Sequence, residues 1–149
     1  MRIAVRAALA AAAAVAAAAG SSAVLASSPT PPSAALGPGP VTVVVEIEHS
    51  RFNVSSIPVV EGTEVTFVVL NRDPINHELI VGPQSVHDRH RDGTERRHAP
   101  RPGEVSVPAL ERGVTTYSFA QPGRIELACH LPGHYDYGMR GEIQVTAAR

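Results

Sequence analysis

Beyond residue 40 the chain reads as short runs of alternating apolar and polar positions, separated by turn residues. In TEVTFVVLN (63–71), Val65, Phe67 and Val69 fall on one face, and Asp73-Pro74 stops the run. VTVVVEIEH (41–49) is β-branched and partly alternating. Residues 55–60 carry Pro58 and read as an edge-like strand before an Glu61-Gly62 turn. HELIVG (77–82), GEVSVPAL (103–110), VTTYSF (114–119), RIELAC (124–129) and GEIQVT (141–146) complete about eight predicted strands. Residues 41–149 show no convincing 3.6-residue apolar period and no internal repeat. Regularly spaced short strands with Gly, Pro and Asn/Asp between them imply an all-β sandwich or barrel.

Three segments fall outside this pattern. Arg2 and Arg6 precede an unbroken small, apolar run from Ala7 to Ala19, which Gly20, Ser21 and Ser22 interrupt. This reads as an export signal over 1–26, with Val24-Leu25-Ala26 as the cleavage motif and Ala23 as a competing site. An uncleaved anchor is the alternative, although a span needs ~20 apolar residues. Residues 27–40 hold five prolines and two glycines and read as a Pro/Ala-rich spacer. Residues 83–102, PQSVHDRHRDGTERRHAPRP, are polar and nearly structureless in pattern, and carry three of the seven histidines and five arginines. The expected organisation is therefore signal, spacer and one domain over 41–149, an exported protein at the cell surface, in the periplasm or secreted.

Composition narrows the function classes. The 149 residues suffice for one domain with a core. Without Arg2 and Arg6 the chain has 11 basic and 14 acidic residues, a balance that gives no reason to expect nucleic acid. A single cysteine, Cys129, cannot form an internal disulfide, so it is a free thiol, an intermolecular link or a metal ligand.

Its neighbours favour a ligand. In Cys129-His-Leu-Pro-Gly-His134-Tyr-Asp-Tyr-Gly-Met139, a thiolate, an imidazole and a thioether recur at spacings of five. Two histidines and a cysteine with a weak, distant methionine make a blue-copper site. Pro132-Gly133 turns the chain between Cys129 and His134, and Gly138 loosens it before Met139. Of the five histidines upstream, His77 is the best placed, after the strongest strand and its turn and at the mouth of the next strand. His49 ends a strand; His87, His90 and His98 lie in the polar insertion.

Residues 41–147 resemble the cupredoxin family, of which plastocyanin and azurin are members. The likeness rests on an apolar strand ending in Asn71, a short turn, His77, and a long gap to a Cys-x4-His-x4-Met loop within PGRIELACHLPGHYDYGMRGEIQV. It implies a Greek-key β-sandwich with one type 1 copper, His77, Cys129 and His134 as equatorial ligands and Met139 axial. Two departures stand out. Glu78 occupies the place where small electron-transfer cupredoxins often have an asparagine that ties the ligand loops together, and the 83–102 insertion is large.

Strand alternation points His130 away from Cys129, which predicts a structural role at the loop base. The insertion reads as a solvated loop. The sharper alternative is a second metal site from His87, His90 and His98 or a docking patch, against which its crowded arginines count. Two functions follow: single-electron transfer to a redox protein partner, or carriage or storage of copper for an acceptor protein. An enzyme is not expected, because a second open copper centre needs more suitably placed histidines. The expected state is a monomer that meets a membrane only through an uncleaved N-terminal segment.

Overall fold

The computed structural model describes residues 34–93 and 97–149; the predicted signal and residues 27–33 of the spacer lie outside them. Among the described residues the strands are β1 (Pro40–Ile47), β2 (Ser56–Val60), β3 (Thr63–Asn71), β4 (His77–Gly82), β5 (Glu104–Val107), β6 (Arg112–Phe119), β7 (Gly123–Ala128) and β8 (Arg140–Thr146). Two helices, α1 (Gln84–Asp92) and α2 (His134–Tyr137), interrupt them. Alternation places the core: in β3, Val65, Phe67 and Val69 are buried, while Thr66 and Val68 between them are partly exposed.

β1, β3 and β6 form one sheet in that order, with β1 parallel and β6 antiparallel to β3. The other sheet runs β2-β8-β7-β4-β5. Their inner faces close over a single core in which Val45, Phe67, Val69, Leu79, Leu127 and Ile143 are buried. This is the expected all-β Greek-key sandwich of eight strands. Pro108 follows β5 and shortens it relative to the expected 103–110. Backbone pairing begins within the predicted spacer, where the Leu36 N–H donates to Pro58 O at 2.9 Å. No helix among the described residues is long and apolar enough to cross a membrane.

The insertion differs from its sequence reading: residues 84–92 are helical. Gln84 donates to Asp88 at 2.8 Å one turn on, and Arg89, His90 and Arg91 occupy the last turn, where the helix dipole favours positive charge. The helix gives no apolar period because its fully buried residue is His87. It lies on the outer face of β4, with Val86 close enough to Gly82 that a Cβ there would sit 3.3 Å from it. All six residues of β4 are therefore buried, three toward the core and three beneath the helix.

Candidate metal centre

The centre lies where β3, β4 and β7 end. Asn71 closes β3, and its Nδ2 donates to Ile75 O at 2.8 Å and Pro108 O at 2.9 Å, fixing the following turn. Its Oδ1 accepts from the Asp73 N–H at 2.9 Å. The Asp73 carboxylate then accepts from the backbone N–H groups of His49 and Ser50, both at 2.7 Å, and lies 3.0 Å from His77 Nε2. Burial alone would raise the Asp73 pKa, but the bonds from Ser50, His49 and His77 hold it below the ordinary carboxylate value. With Nε2 engaged, the buried His77 Nδ1 is left without a hydrogen-bond partner.

Cys129 follows β7 directly. Its N–H donates to Met139 O at 3.0 Å, and its side chain points into the core. Gly133 and Gly138 adopt left-handed backbone conformations, φ 81° and 106°, which let a single helical turn fit between them. That turn brings His134 Nδ1 to 3.3 Å from Cys129 Sγ. The Met139 N–H donates to His134 O at 3.0 Å, and the Met139 side chain is fully buried in the same core.

The donor atoms of His77, Cys129 and His134 lie within 4.8 Å of one another. The structure thus brings three of the four expected residues together and buries the fourth, Met139, in the adjoining core. Burial, and then the Glu78 carboxylate, push the Cys129 thiol up to about 12, although backbone N–H groups of Leu131 and Glu78 act the other way. Burial also lowers the pKa of His77 and of His134, which favours neutral imidazoles. A thiol, two neutral imidazoles and an orphaned buried nitrogen fit a soft, one-sulfur copper site.

Two residues do more in the structure than the sequence reading gave them. Asp73 was visible only as a strand stop, yet it orients His77. Glu78 does what the missing asparagine was expected to do: its Oε1 accepts from the His130 N–H at 2.8 Å, joining the end of β4 to the cysteine loop. His130 points away from Cys129, as alternation implies. Its Nε2 lies 2.8 Å from His87 Nδ1, and its ring stacks on Tyr135 at 5.2 Å. The insertion histidines do not converge as the sequence grouped them. His87 meets His130, whereas His90 lies between Glu78 and Glu104 and beside His98.

The family described as "Copper binding proteins, plastocyanin/azurin family" matches residues 40–146. A "Copper-resistant cuproprotein CopI" of Rubrivivax gelatinosus is 35% identical over 106 residues, covering 68% of this chain and 64% of that protein. A protein of the same description from Vibrio cholerae is 29% identical over 84 residues, 54% of this chain and 50% of that one. The chain thus spans less than two thirds of the length of these curated relatives. Auracyanin A, a "blue" copper protein of Chloroflexus aurantiacus, superposes with a TM-score of 0.59 at 22% identity, over 72% of this chain and 100% of that one.

Proposed function

The chain belongs to the plastocyanin/azurin family of copper-binding proteins, and on that premise we propose that it is an exported, mononuclear one-electron carrier. His77, Cys129, His134 and Met139 hold its copper. Export rests on the charged, apolar start of the chain, Arg2 through Ala19. Copper bound there supplies one-electron chemistry between Cu(I) and Cu(II).

The observation that carries the reading is enclosure. His77 is 1% exposed, and Cys129 and Met139 are fully buried. Of the four, only His134 reaches the surface, half-buried beside exposed Pro132 and Gly133. Ile75, Leu110 and Tyr137 are exposed apolar side chains at this same end. Leu110 N–H bonds to Asp73 O at 3.1 Å, and Tyr137 lies under the Arg51 guanidinium at 4.8 Å. Such a collar suits brief docking of a redox protein, with His134 at its centre. Copper held by ligands buried in a sandwich core is poorly placed to be handed to an acceptor by exchanging those ligands one at a time.

A second reading, copper carriage within a tolerance system, is favoured by the relatives described as copper-resistant cuproproteins. Two rates separate the readings. Electron self-exchange faster than transfer of copper to an excess apo-acceptor supports the first. Copper handed over within seconds, with slow electron exchange, replaces it with the second.

Filling the centre also has a proton signature. The Cys129 thiol is protonated at neutral pH because its pKa lies at about 12, while His77 and His134 are neutral. Copper binding at pH 7, followed against growth of the coloured band in weakly buffered solution, should therefore release about one proton per ion. Apparent affinity should rise about tenfold per pH unit. Copper uptake without proton release would contradict ligation by the thiolate.

A further inference from the structure

The five-stranded sheet has a second chemically loaded face. Side chains alternate along β4 and β7, so His77 and Cys129 point into the sandwich while their chain neighbours Glu78 and His130 point outward, beneath α1. Glu104 of β5 joins that outer face. His90 of α1 descends between the two carboxylates, its Nδ1 3.4 Å from Glu78 Oε2 and its Nε2 2.8 Å from Glu104 Oε2. His98 is held beside it by its backbone N–H, which donates to Ser106 Oγ at 3.1 Å, and the two rings lie 5.2 Å apart. Glu78, His90 and His98 offer donor atoms that all lie within 4.8 Å of one another.

Unpartnered atoms identify what the cluster lacks. Among the described residues, the buried side-chain polar atoms without a hydrogen-bond partner are His77 Nδ1, Glu78 Oε2 and His98 Nε2. Such atoms are costly unless something unseen satisfies them. The first belongs to the copper centre already described. The other two belong to this cluster: Glu78, 1% exposed, meets His90 through Oε2 only at the long ion-pair distance of 3.4 Å, and His98 Nε2 has no hydrogen-bond partner. The same signature thus marks both places.

We propose that Glu78, His90 and His98 form a second metal site, free of sulfur, that binds one Cu(II) ion on the opposite face of the sheet from Cys129. Imidazole and carboxylate donors suit a divalent first-row ion, and Cu(II) binds most tightly in that series. The missing thiolate and thioether disfavour Cu(I). Arginine repulsion, the objection raised by the sequence, is reduced in the structure. Of the five arginines, Arg89 bonds Glu104 at 2.6 Å, Arg91 bonds Asp88 at 2.9 Å and Arg101 lies 3.9 Å from Glu104, so these three charges are set against carboxylates. A pocket of about 240 Å³ lined in part by Arg91, Glu126, His130 and Tyr135 adjoins His130, whose ring lies 6.5 Å from that of His90. His130 and Glu78 each adjoin a ligand of the first centre in the chain, so the two sites share the ends of β4 and β7.

The test is a Cu(II) titration of the full chain in the presence of a weak competing chelator, read by metal analysis and electron paramagnetic resonance. Two coppers per chain are expected. The second adds a signal with wide copper hyperfine splitting and no intense colour. Cys129→Ser should keep one copper of this second kind, which separates the site from the coloured centre. His90→Gln with His98→Gln should keep the coloured copper and weaken the other by more than the ~10–100-fold typical of losing an outer-sphere partner. If that variant does not fold, the Cys129→Ser titration decides alone. A single copper in the parent chain with none in Cys129→Ser overturns the site. So does a double variant that still binds two. Zinc displacing the second copper at equal concentration overturns its assignment to copper.

Discussion

Cys129→Ser is expected to remove the intense visible band and the coloured copper completely, while the protein keeps its fold. The band requires a thiolate bound to Cu(II), and Cys129 is the only cysteine in the chain. No neighbouring sulfur can take over, because Met139 offers a thioether that carries no charge. The fold should survive because serine is smaller than cysteine and can use the same surroundings. His134 Nδ1 lies 3.3 Å from Sγ, and the Leu131 and Glu78 N–H groups face the same atom. A hydroxyl therefore finds partners rather than an apolar wall. A stability change of about 1 kcal/mol is expected, the scale of one altered buried hydrogen bond. Visible absorption and a thermal melt together check the prediction. Retained blue or green colour would remove Cys129 from the ligand set. Loss of both colour and fold would mean that the thiol holds the core together rather than serving the metal.

What the sequence disclosed follows from which residues fill the buried positions. Where those residues are apolar, alternation is plain, and β3 falls at 63–71 as expected because Val65, Phe67 and Val69 are all turned inward. The Cys129–Met139 loop was equally legible, since one turn of helix between two left-handed glycines fixes the spacing of its donors. The helix α1 was hidden for the opposite reason. Its buried face carries His87 and, partly buried, Val86 and His90, so burial left a single apolar residue and no apolar period. The second cluster was half seen. Three insertion histidines suggested a metal, but their fate depended on which residues the outer face of β4 and β7 offers. Alternation from His77 and Cys129 points straight to Glu78 and His130, yet that inference needs a helix lying above the sheet. Asp73 was hardest to read, because a turn-forming aspartate and a histidine-orienting one look alike until His49 and Ser50 are seen to converge on it.

Asp73→Ala should be the most damaging single change outside the donor set, and it should act on stability and on copper together. One carboxylate serves three donors: the His49 and Ser50 N–H groups at 2.7 Å each, and His77 Nε2 at 3.0 Å. Removing it strands the buried His77 imidazole and two backbone donors, on half-buried Ser50 and exposed His49. A buried stranded group costs ~1–3 kcal/mol and the less buried ones less, so a loss of about 3 kcal/mol is expected. For a domain of this size that lowers the melting temperature by about 10 °C or more. Because the folded-state pKa of Asp73 is lowered, the parent protein holds this stabilisation fully above the ordinary carboxylate pKa and loses it as pH falls through the lowered value. The stability gap between parent and variant should therefore close in acid. His77, no longer held through Nε2, should turn more freely, and copper affinity should fall ~10–100-fold, as when an outer partner of a metal-bound histidine is removed. Asp73→Asn separates the two effects. Turned so that its oxygen replaces Oδ2, asparagine keeps the bonds to Ser50 and His77 and loses only that to His49. It should thus recover most of the copper affinity while recovering less of the stability. Equal recovery of both, or an alanine variant that binds copper like the parent, would show that Asp73 braces the turn without orienting His77.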